Sequence, residues 1–450
     1  MTSVVIDDRP NILFIFSDQQ HWQALGCQDP FYQTPNLDAL AAEGLLFERA
    51  FCTTPQCSPS RSSMFTGCYP TTTGVMGNIG AAGGEPLRMA TVAPQLGSLG
   101  YRTAYYGKWH LGKDPEGTTG WDEELGVMGP PMHHDERTTQ RALDFIGRCG
   151  ASGDQDVGQP FALFLSYDDP HDIYEFDPAS AEDVDGVPLP ESWHRQRLDT
   201  VPAVQQAFMT QDQGTRIRGM GPQVWKAYRL FYRQKVRKYD DHVGRVLAAL
   251  EAAGLRDRTI VVATSDHGDM DTHHHLIFKG PFMYEHMVRI PLIFRVPEAL
   301  GGTGARQITH VTDVDVVNTD LVPTLLDFCG AGAGAAVGEG HSLYPLLTGA
   351  GVGTERPYVV SQYYSKQRWV NPIRMIRTPE YKYNVYLVHG EELYDLKNDP
   401  HECVNLAEDP GYAGVRRRLS SELDHWIETH RDPFYSLQVT DRAGTPIRAA

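Results

Sequence analysis

Short, continuously apolar runs recur along the chain, and most break off at acids or histidines. "NILFIF" (Asn11 to Phe16) stops at "SDQQ". The run Phe161 to Leu165 stops at "SYDDPH", and "TIVVATS" runs from Thr259 into Asp266 and His267. "RIPLIFRV" is a fourth run. A run without polar alternation is the pattern of a strand buried on both faces, as in a parallel sheet. Helical patterns lie between the runs: "TPNLDALAAEGL", "VAPQLGSLG" and the long "WKAYRLFYRQKVRKYDDHVGRVLAALEAAG". Strands alternating with helices predict an α/β fold with a largely parallel sheet flanked by helices. In such sheets ligands bind beyond the carboxyl ends of the strands. The acids at those ends are therefore where a site is expected.

The chain has 450 residues, enough for more than one domain. "CGAGAGAAVGEG" (Cys329 to Gly340) reads as a flexible connection, and after "HSLYPLLTGAGVGTERP" the texture changes. "YVVSQYY", "IRMIRT", "YKYNVYLV" and "EELYDL" predict a small antiparallel sheet, closed by the helix "GVRRRLSSELDHWIETH". The expected division is a catalytic domain over residues 1–352 and a smaller α+β domain over residues 353–450. A net charge of −17 disfavours nucleic acid and anionic membrane surfaces as partners. There is no apolar stretch of spanning length, and "MTSVVIDDRPNILFIF" lacks the basic and apolar regions of a secretory signal. The seven cysteines are scattered, without a paired CxxC, which argues against a zinc ribbon and against a disulfide framework.

Asp18, Asp266 and His267 follow predicted strands. Carboxylates with an imidazole suit a divalent cation such as Ca²⁺, Mg²⁺ or Mn²⁺. "GKWHLGK" follows another strand, "RTAYY". There Lys108 and His110 are two apart, and in an extended segment they would face one side, fit to hold an oxyanion and move a proton. His171 in "DDPHDIY" and Lys279 in "HHHLIFKG" are ambiguous alone. Cys57 lies in "TTPQCSPSRSSMFTG". Pro59 suits a first helical turn and Gly67 a helix end, which puts Cys57 at a helix N-terminus, where anions are favoured, and Arg61 one turn on. Three readings of Cys57 stand at this point: a buried apolar thiol, a thiolate nucleophile, or a residue destined for conversion to something else.

In order along the chain, these pieces resemble the type I, formylglycine-dependent sulfatases of the alkaline phosphatase superfamily. "CSPSR" matches that family's C-x-P-x-R signature, and "GYRTAYYGKWHLG" matches its second signature. "TPNLDALAAEGLLFERAF", "VVATSDHGD", "YEHMVRIPLIF" and "ELYDLKNDPHECVNLAEDP" are similar to further family segments. The resemblance implies an alkaline-phosphatase-like sandwich: a large mixed, mostly parallel sheet flanked by helices, with a smaller C-terminal antiparallel sheet and helix. It implies a sulfuric ester hydrolase acting on a small-molecule or carbohydrate sulfate ester. It also implies that a separate maturation enzyme oxidises Cys57 to formylglycine (3-oxoalanine). The hydrated aldehyde is a gem-diol, in which one oxygen attacks sulfur and the other drives release of sulfate by C–O cleavage.

Carried over by the resemblance, Asp18, Asp266, His267 and the modified Cys57 hold one divalent metal, Ca²⁺ by family habit. Arg61 and Lys108 steady the formylglycine, and His110 is the base that releases sulfate. His171 and Lys279 bind sulfate and serve the leaving oxygen. Gln19, Asn78, His133 and His274 are further substrate-side candidates. The chain departs from the family where many members have a second acid, here Ser17, and an asparagine, here His267. That donor set shifts the expectation toward Mn²⁺ or Mg²⁺. The Asp-Gln form also resembles phosphonate monoester and phosphodiester hydrolases with the same nucleophile, the alternative reading. The basic stretch from Arg216 to Lys238 reads as the solvated face of a helix. The expected setting is the cytoplasm of a bacterium, with no membrane partner, and a homo-oligomer is compatible with this reading.

Overall fold

The computed structural model of the chain describes residues 9–112, 120–127, 134–150, 158–180, 184–195, 200–302, 309–331, 338–351 and 356–447. Its centre is an eight-stranded sheet in the order β5-β4-β6-β1-β7-β8-β2-β9. The strands are β1 (Asn11–Asp18), β2 (Leu45–Phe47), β4 (Arg102–Lys108), β5 (Glu123–Val127), β6 (Phe161–Pro170), β7 (Thr259–Ser265), β8 (Leu292–Arg295) and β9 (Thr309–Val311). A separate short pair, β3 (Ala50–Phe51) with β10 (Val316–Val317), lies beside it. The middle of the sheet is parallel, as the apolar runs require. The fourth run differs: β8 pairs antiparallel to β7 and to β2, so the sheet is mixed toward one edge.

Both faces of β1 are buried, and its side chains alternate between two cores. Leu13 and Ile15 join Leu37, Leu40, Phe145, Ile146, Val243 and Val246 from flanking helices. Ile12, Phe14 and Phe16 join the other core, which contains Met64 and Phe65 of the helix Cys57–Thr66. That second core continues into a four-stranded antiparallel sheet of β11 (Val359–Lys366), β12 (Trp369–Arg377), β13 (Tyr381–Tyr386) and β14 (Gly390–Asp395). The helix Ala413–Thr429 packs there through Leu419 and Leu423. The last strands are β15 (Val439–Thr440) and β16 (Pro446–Ile447). None of the described helices is long and apolar enough to cross a membrane.

The long helix Pro222–Ala252 corrects one expectation. Its basic stretch is not wholly a solvated face. Arg229 is buried, pairs with Asp271 at 3.1 Å and Asp29 at 3.3 Å, and donates to the Pro188 carbonyl at 2.7 Å. A guanidinium can be buried only when its donors are met, and this one ties the helix to the loop after β7.

Candidate active site

Parallel register brings four strand ends level. Ser17 pairs with Ser265, so Asp18 and Asp266 follow side by side. Ser166 pairs with Gly107 across β6 and β4, so Lys108 comes next to them. Gly107 is required there: it has φ +111°, and a Cβ on it would lie 1.9 Å from the Ser166 carbonyl oxygen. Lys108 Nζ lies 2.7 Å from Asp18 Oδ2 and 3.3 Å from Asp168 Oδ1. The strand ends at Lys108, and His110 has a left-handed backbone, φ 57°. The two side chains therefore do not share a strand face as the spacing predicts. Both still reach the site, because Trp109 between them is buried and stacks on Phe65 at 5.5 Å.

The helix Cys57–Thr66 begins at Cys57 itself, after the extended Gln56, and ends at Gly67 with φ 72°. All ten of its residues are buried. Asn78 Oδ1 accepts the Ser58 amide at 3.0 Å, so Asn78 caps this helix from the next loop. Cys57 Sγ lies 3.5 Å from Asp18 Oδ1, 3.3 Å from His267 Nε2 and 2.7 Å from Lys279 Nζ. Burial and Asp18 oppose ionisation of the thiol, yet Lys279, His267 and Lys108 prevail and hold it well below the usual thiol range.

One turn on, Arg61 lies across the carboxylate pair, with Nε 2.8 Å from Asp266 Oδ2 and Nη2 3.1 Å from Asp18 Oδ2. It also donates to the Lys108 carbonyl at 2.5 Å and to Ser166 Oγ at 2.8 Å. Replacing it leaves two buried carboxylates short of a counter-charge. Arg61→Ala is expected to cost about 3–5 kcal/mol of stability, read as a lower urea midpoint. An unchanged midpoint would show that the guanidinium is not holding the strand ends together.

Asp18, Cys57, Asp266 and His267 each offer a donor atom, and these atoms all lie within 4.8 Å of one another. The donor set fits a divalent cation on its own chemistry. His267 Nδ1 lies 2.8 Å from the Gly268 carbonyl, to which it donates as N–H, so Nε2 is the nitrogen turned to the group. Asp266 is pushed up, first by burial and then by the neighbouring Asp18. Asp18 is also buried, but Lys108, His171, Lys279 and Arg61 overcome that and lower it well below the usual carboxylate range.

A cavity of about 470 Å³ opens above this group; Cys57, Asn78, His110, His171 and Lys279 are among its lining residues. His171 is pushed down to about 3, first by burial and then by the charge of Lys108, and its ring packs against Tyr174 at 4.9 Å. His110 Nδ1 is buried without a hydrogen-bond partner among the described residues. Gln19 is placed differently: its amide N–H donates to Asp266 Oδ1 at 3.1 Å and its side chain to Asp269 at 2.6 Å, behind the carboxylates. His274 is buried and stacked on Tyr284 at 3.8 Å, and it is not among the cavity-lining residues. His133 lies outside the described residues. The lining also includes Tyr174, Gln213 and Lys366, which sequence reasoning did not single out. Asp168 was missed too, although its place in "SYDDPH" at a strand end was a usable signal.

The chain is similar to known proteins over nearly its whole length. The family model described as Sulfatase matches residues 10–331, and that described as N-sulphoglucosamine sulphohydrolase, C-terminal, matches residues 273–429. An uncharacterized sulfatase of Escherichia coli K12 is 30% identical, over 96% of this chain and 89% of its own length. A Delta 4,5-hexuronate-2-O-sulfatase of Bacteroides thetaiotaomicron is 30% identical, over 96% of this chain and 92% of its own. The solved structure of a 2-O GAG sulfatase superposes with a TM-score of 0.84 at 27% identity, covering 96% of this chain and 95% of that one. With a family model spanning most of its length and 30% identical relatives aligned nearly end to end, the chain belongs to the sulfatase family of the alkaline phosphatase superfamily and is a sulfuric ester hydrolase.

Proposed function

We propose that the protein hydrolyses a sulfate monoester on a carbohydrate, using Cys57 converted to formylglycine and one divalent metal ion. The observation that carries this reading is the convergence of Cys57 with Asp18, Asp266 and His267 at the floor of the cavity. The carbohydrate half rests on the lining. Gln56, Asn78, Gln213 and Gln367 bring carboxamides, a group that pairs with hydroxyls. In Asn78 and Gln213 the oxygen accepts from the protein, while the amide nitrogen is the donor left for a sugar. The named substrates of the hexuronate sulfatase and of the GAG sulfatase support the same class.

Asp18, Asp266, His267 and residue 57 would hold the metal, which supplies positive charge to the nucleophilic hydroxyl and to the sulfate. The family's ion is Ca²⁺, and the imidazole donor brings Mn²⁺, which accepts nitrogen more readily than the harder Ca²⁺ and Mg²⁺, into contention. The hydrated aldehyde supplies two hydroxyls on one carbon, one to attack and one to drive release. The chain's own groups do the rest. Lys279 Nζ, against residue 57, and Lys108 Nζ, against Asp18, set the positive field for the sulfate oxygens. His171, pushed down to about 3, meets the ester as a neutral imidazole and donates an N–H hydrogen bond to the leaving oxygen. The proton lost by the attacking hydroxyl passes to that oxygen through Lys279 Nζ, which lies against residue 57, and makes it the alcohol. His110, which lines the cavity and whose Nδ1 has no hydrogen-bond partner among the described residues, takes the proton whose loss frees sulfate. The overall balance is ester plus water to alcohol plus hydrogen sulfate.

The two histidines give a kinetic test. His110→Ala should release about one equivalent of alcohol per site and then stall. His171→Ala should show little burst, and should slow most, by about 10²–10⁴-fold, on esters with poor leaving groups. The measurement is rapid-mix release of two phenols of different pKa. A burst from His171→Ala but not from His110→Ala would reverse the roles. Parallel assays with an aryl sulfate and an aryl phosphonate test the transferred group; preference for the phosphonate would overturn the sulfate reading.

A further inference from the structure

A second chamber of about 350 Å³ adjoins the first. Gly80, Lys366 and Gln367 line both, so they form the sill between them. Its other walls include Asp212, Arg368, Trp369 and Arg442. Three cations thus face one carboxylate, on a chain whose net charge is −17. Asp212 is shared between Lys366 at 3.2 Å and Arg442 at 3.0 Å. Arg368 is exposed and has no ion-pair partner among the described residues. A local excess of positive charge against the sign of the whole protein marks a place where an anion is received.

The chamber is built rather than incidental. Lys366 pairs with Trp369 across the β11–β12 turn, and Gln367 at its tip has φ 56°, an uncommon backbone for a non-glycine residue. The tip is fastened to the loop before the cavity, since Ala82 N donates to the Gln367 carbonyl at 2.8 Å and Ser365 Oγ to the Ala82 carbonyl at 2.6 Å. Arg442 sits in the turn between β15 and β16. Thr440 Oγ1 clamps that pair, donating to the Arg368 carbonyl at 2.6 Å and accepting from Val370 N at 2.9 Å. Lys366 Nζ also donates to Gln213 Oε1 at 2.6 Å and to the Lys279 carbonyl at 3.2 Å, joining the chamber to the sulfate-side lysine.

We propose that this chamber binds a second acidic group of the substrate, a carboxylate or a second sulfate on the sugar next to the one being desulfated, through Arg368 and Arg442. The substrate class is then a polyanionic oligosaccharide, an inference that rests on the sulfatase reading. The test compares three disaccharides sulfated on the terminal unit, whose neighbouring unit carries a carboxylate, its neutral methyl ester or a second sulfate. Wild type should favour an acidic form over the ester by about 10-fold in kcat/KM, a preference that shrinks as salt is raised. Which acid gives the larger ratio identifies the group. The double variant Arg368→Ala/Arg442→Ala should lose the preference while turning over an aryl monosulfate like wild type. No preference in wild type, or its survival in the double variant, overturns the proposal. Calorimetry with the desulfated acidic disaccharide separates the two readings. Absence of all sulfatase turnover would defeat the sulfatase reading; binding lost in the double variant would still support the chamber, and equal binding would overturn it.

Discussion

Cys57→Ala is expected to abolish turnover, by at least about 10⁴-fold, while leaving the protein folded. The folding half of the expectation comes from the surroundings. The thiol is small, sits at a helix start, and touches polar neighbours that have other partners. Without it Lys279 Nζ still has His267 Nε2 at 3.2 Å and Asp18 Oδ1 at 3.8 Å. The activity half follows from the proposed chemistry, because among the described residues lining the cavity Cys57 alone carries the thiol that the proposed conversion needs. Cys57→Ser separates conversion from mere placement of a nucleophile. A serine has one oxygen and cannot expel sulfate by C–O cleavage, so at most trace turnover is expected, with sulfate retained on the protein. Intact-mass spectrometry of wild type made with the maturation enzyme should show the mass of an aldehyde at residue 57. A Cys57→Ala protein with near-wild-type activity would remove the formylglycine reading altogether.

Exhaustive chelation is expected to have the next largest effect, lowering activity by about 10²–10³-fold or more and lowering the melting temperature. The thermal effect has a specific cause. Asp18 and Asp266 are fully buried, and a cation bound only by the native site stabilises the fold by mass action. Asp266→Asn should reproduce both effects with the shape of the site preserved. It removes one of the negative donors and one partner of Arg61, while Arg61 keeps Asp18 at 3.1 Å. Metal per chain, by elemental analysis, should fall in the variant, and re-addition of Mn²⁺, Mg²⁺ or Ca²⁺ to chelated wild type should rank the ions. Full activity in chelated protein free of detectable metal would sink the metal assignment.

Much of the site was legible along the chain because its pieces are local signals. An apolar run broken by an acid marks a strand end, which is how Asp18 and Asp266 could be named. A proline in a first turn and a glycine at the stop framed the helix Cys57–Thr66. The motif around Cys57 then gave the family. The spacing argument for Lys108 and His110 did not carry over, because the strand stops at Lys108 and the backbone turns left-handed at His110. His274 was named from the family resemblance, and its ring lies stacked on Tyr284, away from the cavity-lining residues.

The sequence by itself determined which elements form, where the carboxyl ends lie and where the helix that starts at Cys57 begins and stops. Each of these depends on neighbours within a few residues: periodicity, a cap, a break in an apolar run. Tertiary structure alone decided which ends stand level and what walls the cavity. Register across β4, β6, β1 and β7 places Lys108, Asp18 and Asp266 together, a result of hydrogen bonding between strands far apart in sequence. The turn of β11 and β12 brings Lys366, Gln367 and Arg368 to the cavity from the far end of the chain. No local pattern marks those residues, because what makes them part of a binding surface is the shared core that packs the small sheet against the large one.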